Sequence, residues 1–341
     1  MARRRDPVEA REDGEADLYE ISTWEVRSLF DRIVVVCYSL LASAVRLFVV
    51  ALALLILLAQ FALGGLGALT TTPLLGAFTL LSVVPALALA AYIWYADVTS
   101  EPLELLVATF VLGVLFAGFA GVINSLVESG MAWLGLTTGI VGAVFQVAFF
   151  YLIVGPGEEA VKLLAVRLYA YRTRSFDAVV DGAVYGAVAG LGFATIENAL
   201  YITRVTGDVS DPVAAIAQGG AITAVRSLVG PGHVIFSAFA GYYLGLAKFN
   251  SERAGPIVLK GIVIAALIHA TYNTLSSVVP GIVASVFQVN WFVAFIGFVI
   301  VYDGFFGLLL LRKIDRYRRA YHDASDEADE GPAVELAEFD G

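Results

Sequence analysis

What most limits the fold of this chain is a succession of apolar runs, each about as long as a membrane is thick. They fall at about 47–66, 74–95, 103–126, 139–154, 178–202, 228–248, 257–279 and 284–311. A helix needs about 20 mostly apolar residues to cross the hydrocarbon core. Eight such runs predict an all-α, polytopic membrane bundle of about eight transmembrane helices. Composition agrees, with 59% hydrophobic and only 15% charged residues and a mean hydropathy of +0.81. That overrides the soluble two-domain prior that the length of 341 residues would suggest. The fourth run continues through Gly155-Pro156-Gly157 into Glu158-Glu159, so its helix is expected to break there. The stretch 212–226, with Gln218 and Arg226, is too polar to count as a span.

Charge divides the chain into three regions. The net charge of −10 gathers at the two ends, in Glu9 to Glu20 and Asp323 to Asp340. Residues 1–40 read as a cytoplasmic acidic tail followed by an amphipathic interfacial helix, with Leu18, Ile21, Trp24, Leu29, Phe30 and Ile33 on one side. Residues 41–312 form the transmembrane core. Residues 313–341 are a basic juxtamembrane segment and a disordered acidic tail. Arg3 to Arg5, Arg27, Arg32, Lys162, Arg167, Arg172, Arg174, Lys248, Arg253, Lys260 and Arg312 to Arg319 all fall on one side of an eight-span bundle. A multi-pass cell-membrane protein with both termini cytoplasmic follows. One loop on that side, Asp97 to Glu104, is acidic and breaks the pattern. There is no basic surface for a nucleic acid. The single cysteine, Cys37, excludes an internal disulfide and a cysteine metal cluster. The first residues are charged and lack an apolar core, so no cleavable signal peptide is expected.

Against this apolar background a few polar groups stand out. Glu158, Glu159 and Lys162 follow the Gly-Pro-Gly break, and Glu197 and Asn198 lie in the fifth run one turn past Phe193. Side chains four apart share a helix face, pairing Glu158 with Lys162 and Phe193 with Glu197. Gly155-Pro156-Gly157 is expected to leave free backbone N–H groups beside the glutamates. A hairpin turning near Arg172 to Ser175 sets Glu158 level with Phe193 and Glu197 about one turn deeper. His233 follows Gly230-Pro231-Gly232, near the outer face if its span starts at Leu228. His269 lies mid-span, with Asn273 one turn on. Asp177 and Asp181 read as first-turn caps of the fifth span. Carboxylates and histidines at membrane depth are costly, and mark a functional site by default. These residue types serve general acid–base hydrolysis, or a mixed His/Glu metal site with an open water position.

Glu158-Glu159-Ala160-Val161-Lys162 resembles the Glu-Glu-x-x-Lys motif of the PrsW family of intramembrane proteases. Phe193 to Glu197-Asn198 resembles its Phe-x-x-x-Glu-Asn motif, and His233 and His269 resemble its two later histidines. Glu101-Pro102, after Asp97, is similar to an Asp/Glu-Pro segment of the same family. Four motifs in family order run from about Tyr95 to Asn273. That family is similar in turn to the prenyl-protein and bacteriocin-processing membrane proteases. The resemblance implies cleavage of a single-span or membrane-proximal protein substrate within the lipid bilayer, in a regulatory cascade such as anti-sigma-factor cleavage. Its catalytic set would be Glu158, Glu159, Glu197, His233, His269 and Asn273, supported by Lys162, Phe193 and Asn198. Glu158 or Glu159 would activate a water, and His269 and Asn273 would donate to the oxyanion. A divalent metal such as Zn²⁺, held by Glu159, His233 and His269, and a metal-free glutamate protease both fit this set. Two other classes compete: a proton- or ion-coupled transporter, for which the expected internal repeats are missing, and a non-catalytic scaffold of the same fold.

The topology has a direct test. Reporter fusions or protease protection at residues 1–20 and 320–341 should place both ends on the cytoplasmic side. Ends on opposite faces would refute the even span count.

Overall fold

The computed structural model describes residues 6–8, 16–39, 73–206, 209 and 211–330, apart from the side chains of Pro73 and 325–330. The expected first span at 47–66 lies outside them, as do most of both acidic tails. Among the described residues the chain is helical without a strand; one isolated bridge joins Tyr19 to Thr23. The elements are α1 (29–39), α2 (Pro73–Tyr95), α3 (Leu103–Trp133), α4 (Gly139–Phe149), α5 (Gly155–Leu168), α6 (Val179–Thr206), α7 (Pro212–Phe249), α8 (Ala254–Phe287) and α9 (Trp291–Glu330). Among the described residues, counting α4 and α5 as one, seven stretches are long and apolar enough to cross a membrane. Large apolar side chains such as Leu80, Ile140, Leu152 and Val301 point outward, as lipid-facing residues do.

The centre of the bundle is α6, buried along most of its length and packed by α2, α3 and α7. Its closest partner is α7, and the reason is legible residue by residue. Gly182, Gly186 and Gly190 recur every four residues on α6, opposite Gly241, Ser237 and His233 on α7. A Cβ on Gly182 would run into the Gly241 carbonyl oxygen, and one on Gly241 into that of Gly182. Cβ atoms on Gly186 and Gly190 would strike the carbonyls of Ser237 and His233. Small residues at this period let helix backbones touch inside a membrane.

Several boundaries differ from the sequence reading. The stretch 212–226, too polar to count as a span by itself, forms the first turns of α7, capped at Asp211, whose carboxylate accepts from the Ala214 N–H at 2.9 Å. The run 284–311 is split: α8 ends at Phe287, Gln288 turns left-handed at φ 52°, and Asn290 accepts from the Phe292 N–H at 2.8 Å to start α9. Past the basic run 312–319, α9 carries on to Glu330.

The interfacial helix over 18–33 is helical only from residue 29. Residues 18–27 form an irregular loop that docks on the bundle. Its Trp24 N–H donates to Asn250 Oδ1 at 3.1 Å, and Asn250 returns a bond to the Ser22 carbonyl. Lys260 pairs with Glu20 and, at 2.6 Å, with Asp31. Partners on α8 and just past α7 thus take the groups that a helix would have paired internally.

The acidic loop between α2 and α3 is also explained. Asp97, Glu101 and Asp181 bring carboxyl oxygens within 4.8 Å of one another. Burial, then the Glu101 charge, pushes Asp97 up to about 7. Burial pushes Glu101 to about 7 as well, against its bond from the Tyr185 hydroxyl. The loop therefore carries less negative charge than its sequence suggests. Asp181 caps α6 as expected, accepting from the N–H groups of Asp177 and Ala178 at 2.6 and 2.8 Å.

The α6–α7 crossing gives a prediction. Gly241→Ala should destabilise the protein by about 1–3 kcal/mol, the usual cost of overpacking. Gly121→Ala, where an added Cβ meets nothing within 4 Å, should leave it within about 0.5 kcal/mol. Thermal unfolding of the purified variants decides; equal stability of the two would refute the close-packing account.

Candidate active site

The glutamate pair is carried by α5, which does not start from an open helix end. Phe150–Val154 form a π-helical turn, and the Gly155 N–H bonds to the Phe150 carbonyl. The chain stays helical through Gly155-Pro156-Gly157. Pro156 has no N–H to give to the turn before it, and a π-turn absorbs that missing bond. Gly155 in turn lets α8 approach: a Cβ there would sit 2.7 Å from the Ala266 carbonyl oxygen and 3.3 Å from the Ala270 Cβ. That approach brings His269 against the glutamates.

Lys162, at the centre of the site, is 1% exposed. Its Nζ donates to Glu159 Oε1 at 2.7 Å, lies 3.7 Å from Glu158 Oε2 and 3.1 Å from His233 Nδ1, and sits 4.3 Å above the Phe193 ring. Glu159 has both oxygens committed. Oε1 also meets His269 Nδ1 at 3.0 Å, and Oε2 accepts from Ser237 Oγ at 3.2 Å. Glu158 differs. Its Oε1 accepts from Asn124 Nδ2 at 2.9 Å, but its Oε2 is buried without a hydrogen bond, 3.8 Å from His269 Nε2.

On the other side of Lys162, His233 Nε2 lies 2.6 Å from Glu197 Oε2. Arg226 Nη2 reaches the same oxygen at 3.0 Å. Asn198 holds Arg226, its Oδ1 accepting from Arg226 Nε at 2.8 Å while its Nδ2 donates to Ser82 Oγ at 3.0 Å. The imidazoles meet edge to face at 5.4 Å, with Phe193 stacked on His233 and Phe236 on His269. These contacts fix both rings, as catalytic or ligating histidines require.

Glu158, His233 and His269 each present a ligand atom, all within 4.8 Å of one another. Two imidazoles, one carboxylate and an orphaned buried oxygen suit a divalent metal such as zinc. The fit is tightest at His233, which has a charged partner at each nitrogen and can ligate only by releasing Glu197 or Lys162.

Both glutamates reach the histidines: Glu158 is the one grouped with His233 and His269 within 4.8 Å, while Glu159 meets His269 Nδ1 and is also engaged by Lys162 and Ser237. Lys162 lies over the Phe193 ring, and Glu197 joins the group through His233. His233 sits mid-helix, since α7 starts at Pro212 rather than Leu228. Asn273 shares the His269 face, but its side chain bonds none of these groups; its backbone carbonyl accepts from Ser276 Oγ at 3.2 Å. Sequence reasoning had left Arg226, Ser237 and Asn124 outside the site. Arg226 was a charge bordering an apolar run, which is a usable signal; Ser237 and Asn124 are common in membrane helices and give none.

Residues 101–302 match the profile described as PrsW family intramembrane metalloprotease, a range that includes Glu158, Glu159, Glu197, His233 and His269. The chain is 28% identical over 234 residues to Protease PrsW of Bacillus subtilis, covering 68% of this chain and 92% of that one. It is 30% identical over 191 residues to Protease PrsW of Oceanobacillus iheyensis, covering 56% and 79%. With Protease PrsW of Geobacillus kaustophilus it shares 30% over 202 residues, 58% and 80% of the two chains. No solved structure matches it.

The buried charge network predicts strong coupling. Lys162→Met should cost about 3–5 kcal/mol, because it strands a buried carboxylate. Lys162→Met with Glu159→Gln should cost clearly less than the sum of the single changes. Additive unfolding energies in that double-mutant cycle would contradict the network.

Proposed function

The chain belongs to the PrsW family of intramembrane metalloproteases, and on that premise we propose that it cuts peptide bonds of membrane-associated proteins at the Glu158–His233–His269 group. One observation carries the reading: Glu158 Oε2 is buried without a hydrogen bond 3.8 Å from His269 Nε2, whereas each oxygen of Glu159 is occupied. Glu158, His233 and His269 would hold a divalent cation. When bound, it supplies a lowered water pKa and polarises the scissile carbonyl.

The remaining residues act on their own account. Glu159 accepts at His269 Nδ1, which leaves Nε2 facing Glu158 and fixes the ring. Lys162 offsets two carboxylate charges in apolar surroundings. Glu197, balanced by Arg226 and with 23% of its side chain exposed, is the carboxylate most open to solvent and takes the proton of the attacking water. Asn273, free of the network, donates to the oxyanion from one turn past His269. Convergence of Glu158, Glu159, Glu197, His233 and His269 on one place supports hydrolysis over transport, which would call for a polar path across the bilayer.

A metal-free glutamate mechanism is the second reading, and the doubly engaged His233 favours it. In that case Glu158 Oε2 is itself the general base. The substrate in either reading is a single-span or membrane-proximal protein in a regulatory cascade of the anti-sigma-factor kind, a proposal that the family resemblance supports. Both termini are proposed to be cytoplasmic, with residues 41–312 as the protease core between two acidic tails.

Glu158→Gln keeps size and polarity, and should cut a membrane substrate about 10²–10⁴ times more slowly than wild type at matched thermal stability. A rate equal to wild type would end the assignment of Glu158. Chelation separates the two mechanisms. Loss of activity that Zn²⁺ restores, together with stoichiometric metal in the purified protein, supports the cation; indifference supports the glutamate base.

A further inference from the structure

Asp303 lies within the spanning part of α9, is 7% exposed, and has neither carboxyl oxygen hydrogen-bonded. Nothing in the hydrolytic scheme uses it. A carboxyl group at membrane depth without a partner costs several kcal/mol, so its surroundings are informative. Its Oδ2 would lie 3.5 Å from a Cβ placed on Gly232, the residue just before His233. The Tyr272 hydroxyl, on a side chain 3% exposed, is also without a hydrogen bond. Tyr272 follows His269 by three residues, packs on Phe236, and lies within electrostatic reach of Asp303, Arg226 and Glu197. Arg226 Nη2 and Glu197 Oε2 face each other as an ion pair, yet neither completes an aligned hydrogen bond. Asp303 and Tyr272 thus present unbonded polar atoms within electrostatic reach of one another, and Tyr272 within that of the ion pair beside His233.

We propose that Asp303, Tyr272 and the Arg226–Glu197 pair bind a short file of water molecules behind His233, and that the hydrolytic water is drawn from it. The second half rests on the protease reading above. A buried water needs about two to four polar partners, and Asp303, Tyr272 and the Arg226–Glu197 pair offer donors and acceptors in that number. Each peptide bond cut consumes one water, and the faces of this bundle are apolar. A store reached through polar side chains solves that supply problem. It also accounts for a carboxyl group without a hydrogen bond among the described residues.

Hydroxyl-radical labelling in ¹⁸O-water tests the site without needing activity. In the full chain Tyr272 should take up label several-fold faster than Tyr317, which is fully buried and whose hydroxyl donates to Asp6 at 2.7 Å. Asp303→Leu should remove that excess. It unpairs nothing, so its melting temperature should be no lower than that of wild type. The same variant should lower kcat roughly tenfold, about 1.4 kcal/mol of barrier, with KM unchanged. Asp303→Asn, which keeps two polar atoms, should restore both labelling and rate. Tyr272 labelled no faster than Tyr317 would overturn the water site. Labelling lost in Asp303→Leu at an unchanged kcat would overturn its role as the supply. A labelled Tyr272 in a wild type that cuts nothing would keep the site and strike the protease reading instead.

Discussion

The backbone contact between α6 and α7 is the constraint on which the rest of the structure depends. At Gly182, Gly186 and Gly190 the two helices come so close that no side chain fits between them. Lipid offers no hydrophobic gain for bringing helices together, so close van der Waals contact must supply the attraction. The same contact sets the site. Gly190 packs on the His233 carbonyl, which brings Phe193 and Glu197 of α6 alongside the His233 ring. A wider crossing would pull Glu197 from His233 and expose Lys162.

The site itself is a balance of buried charges. Glu158, Glu159 and Glu197 face Lys162 and Arg226, with two imidazoles between them. Ionised groups inside a bundle persist only if each finds a partner. Lys162 meets that condition through four neighbours at once, including the Phe193 ring. The network also sorts two adjacent glutamates into different roles. Glu159 is consumed in holding His269, Lys162 and Ser237 together, and Glu158 keeps one oxygen without a hydrogen bond. Consecutive residues on a helix point about 100° apart, so adjacent glutamates cannot share one environment.

Proline, a liability in most helices, sets the register here. Pro156 removes a hydrogen bond from the run that leads into the glutamates, and the helix answers with a π-turn rather than a break. Glycine at 155 then lets α8 close on α5. Lipid-embedded backbone has no water to satisfy stray N–H groups, which is why continuity wins over interruption.

The sequence alone determined the class of fold and singled out most of the polar groups that the helices bring together. Membrane solvent imposes one rule on every residue, so apolar run length reads directly as helices, and Glu158, Lys162, Glu197, His233 and His269 show against that background. It could not say which glutamate keeps a free oxygen, because that depends on Ser237 and His269, which arrive from two other helices. Nor could it find Asn124, or the pairing of Arg226 with Glu197, for the same reason. The continuity of α7 through its polar start was hidden because Gln218 and Arg226 look costly in isolation. Arg226 is tolerated only once Glu197, Asn198 and the Tyr201 ring surround it. Tertiary structure decided these points, since a buried charge is placed by its partners, and partners distant in sequence leave no local pattern.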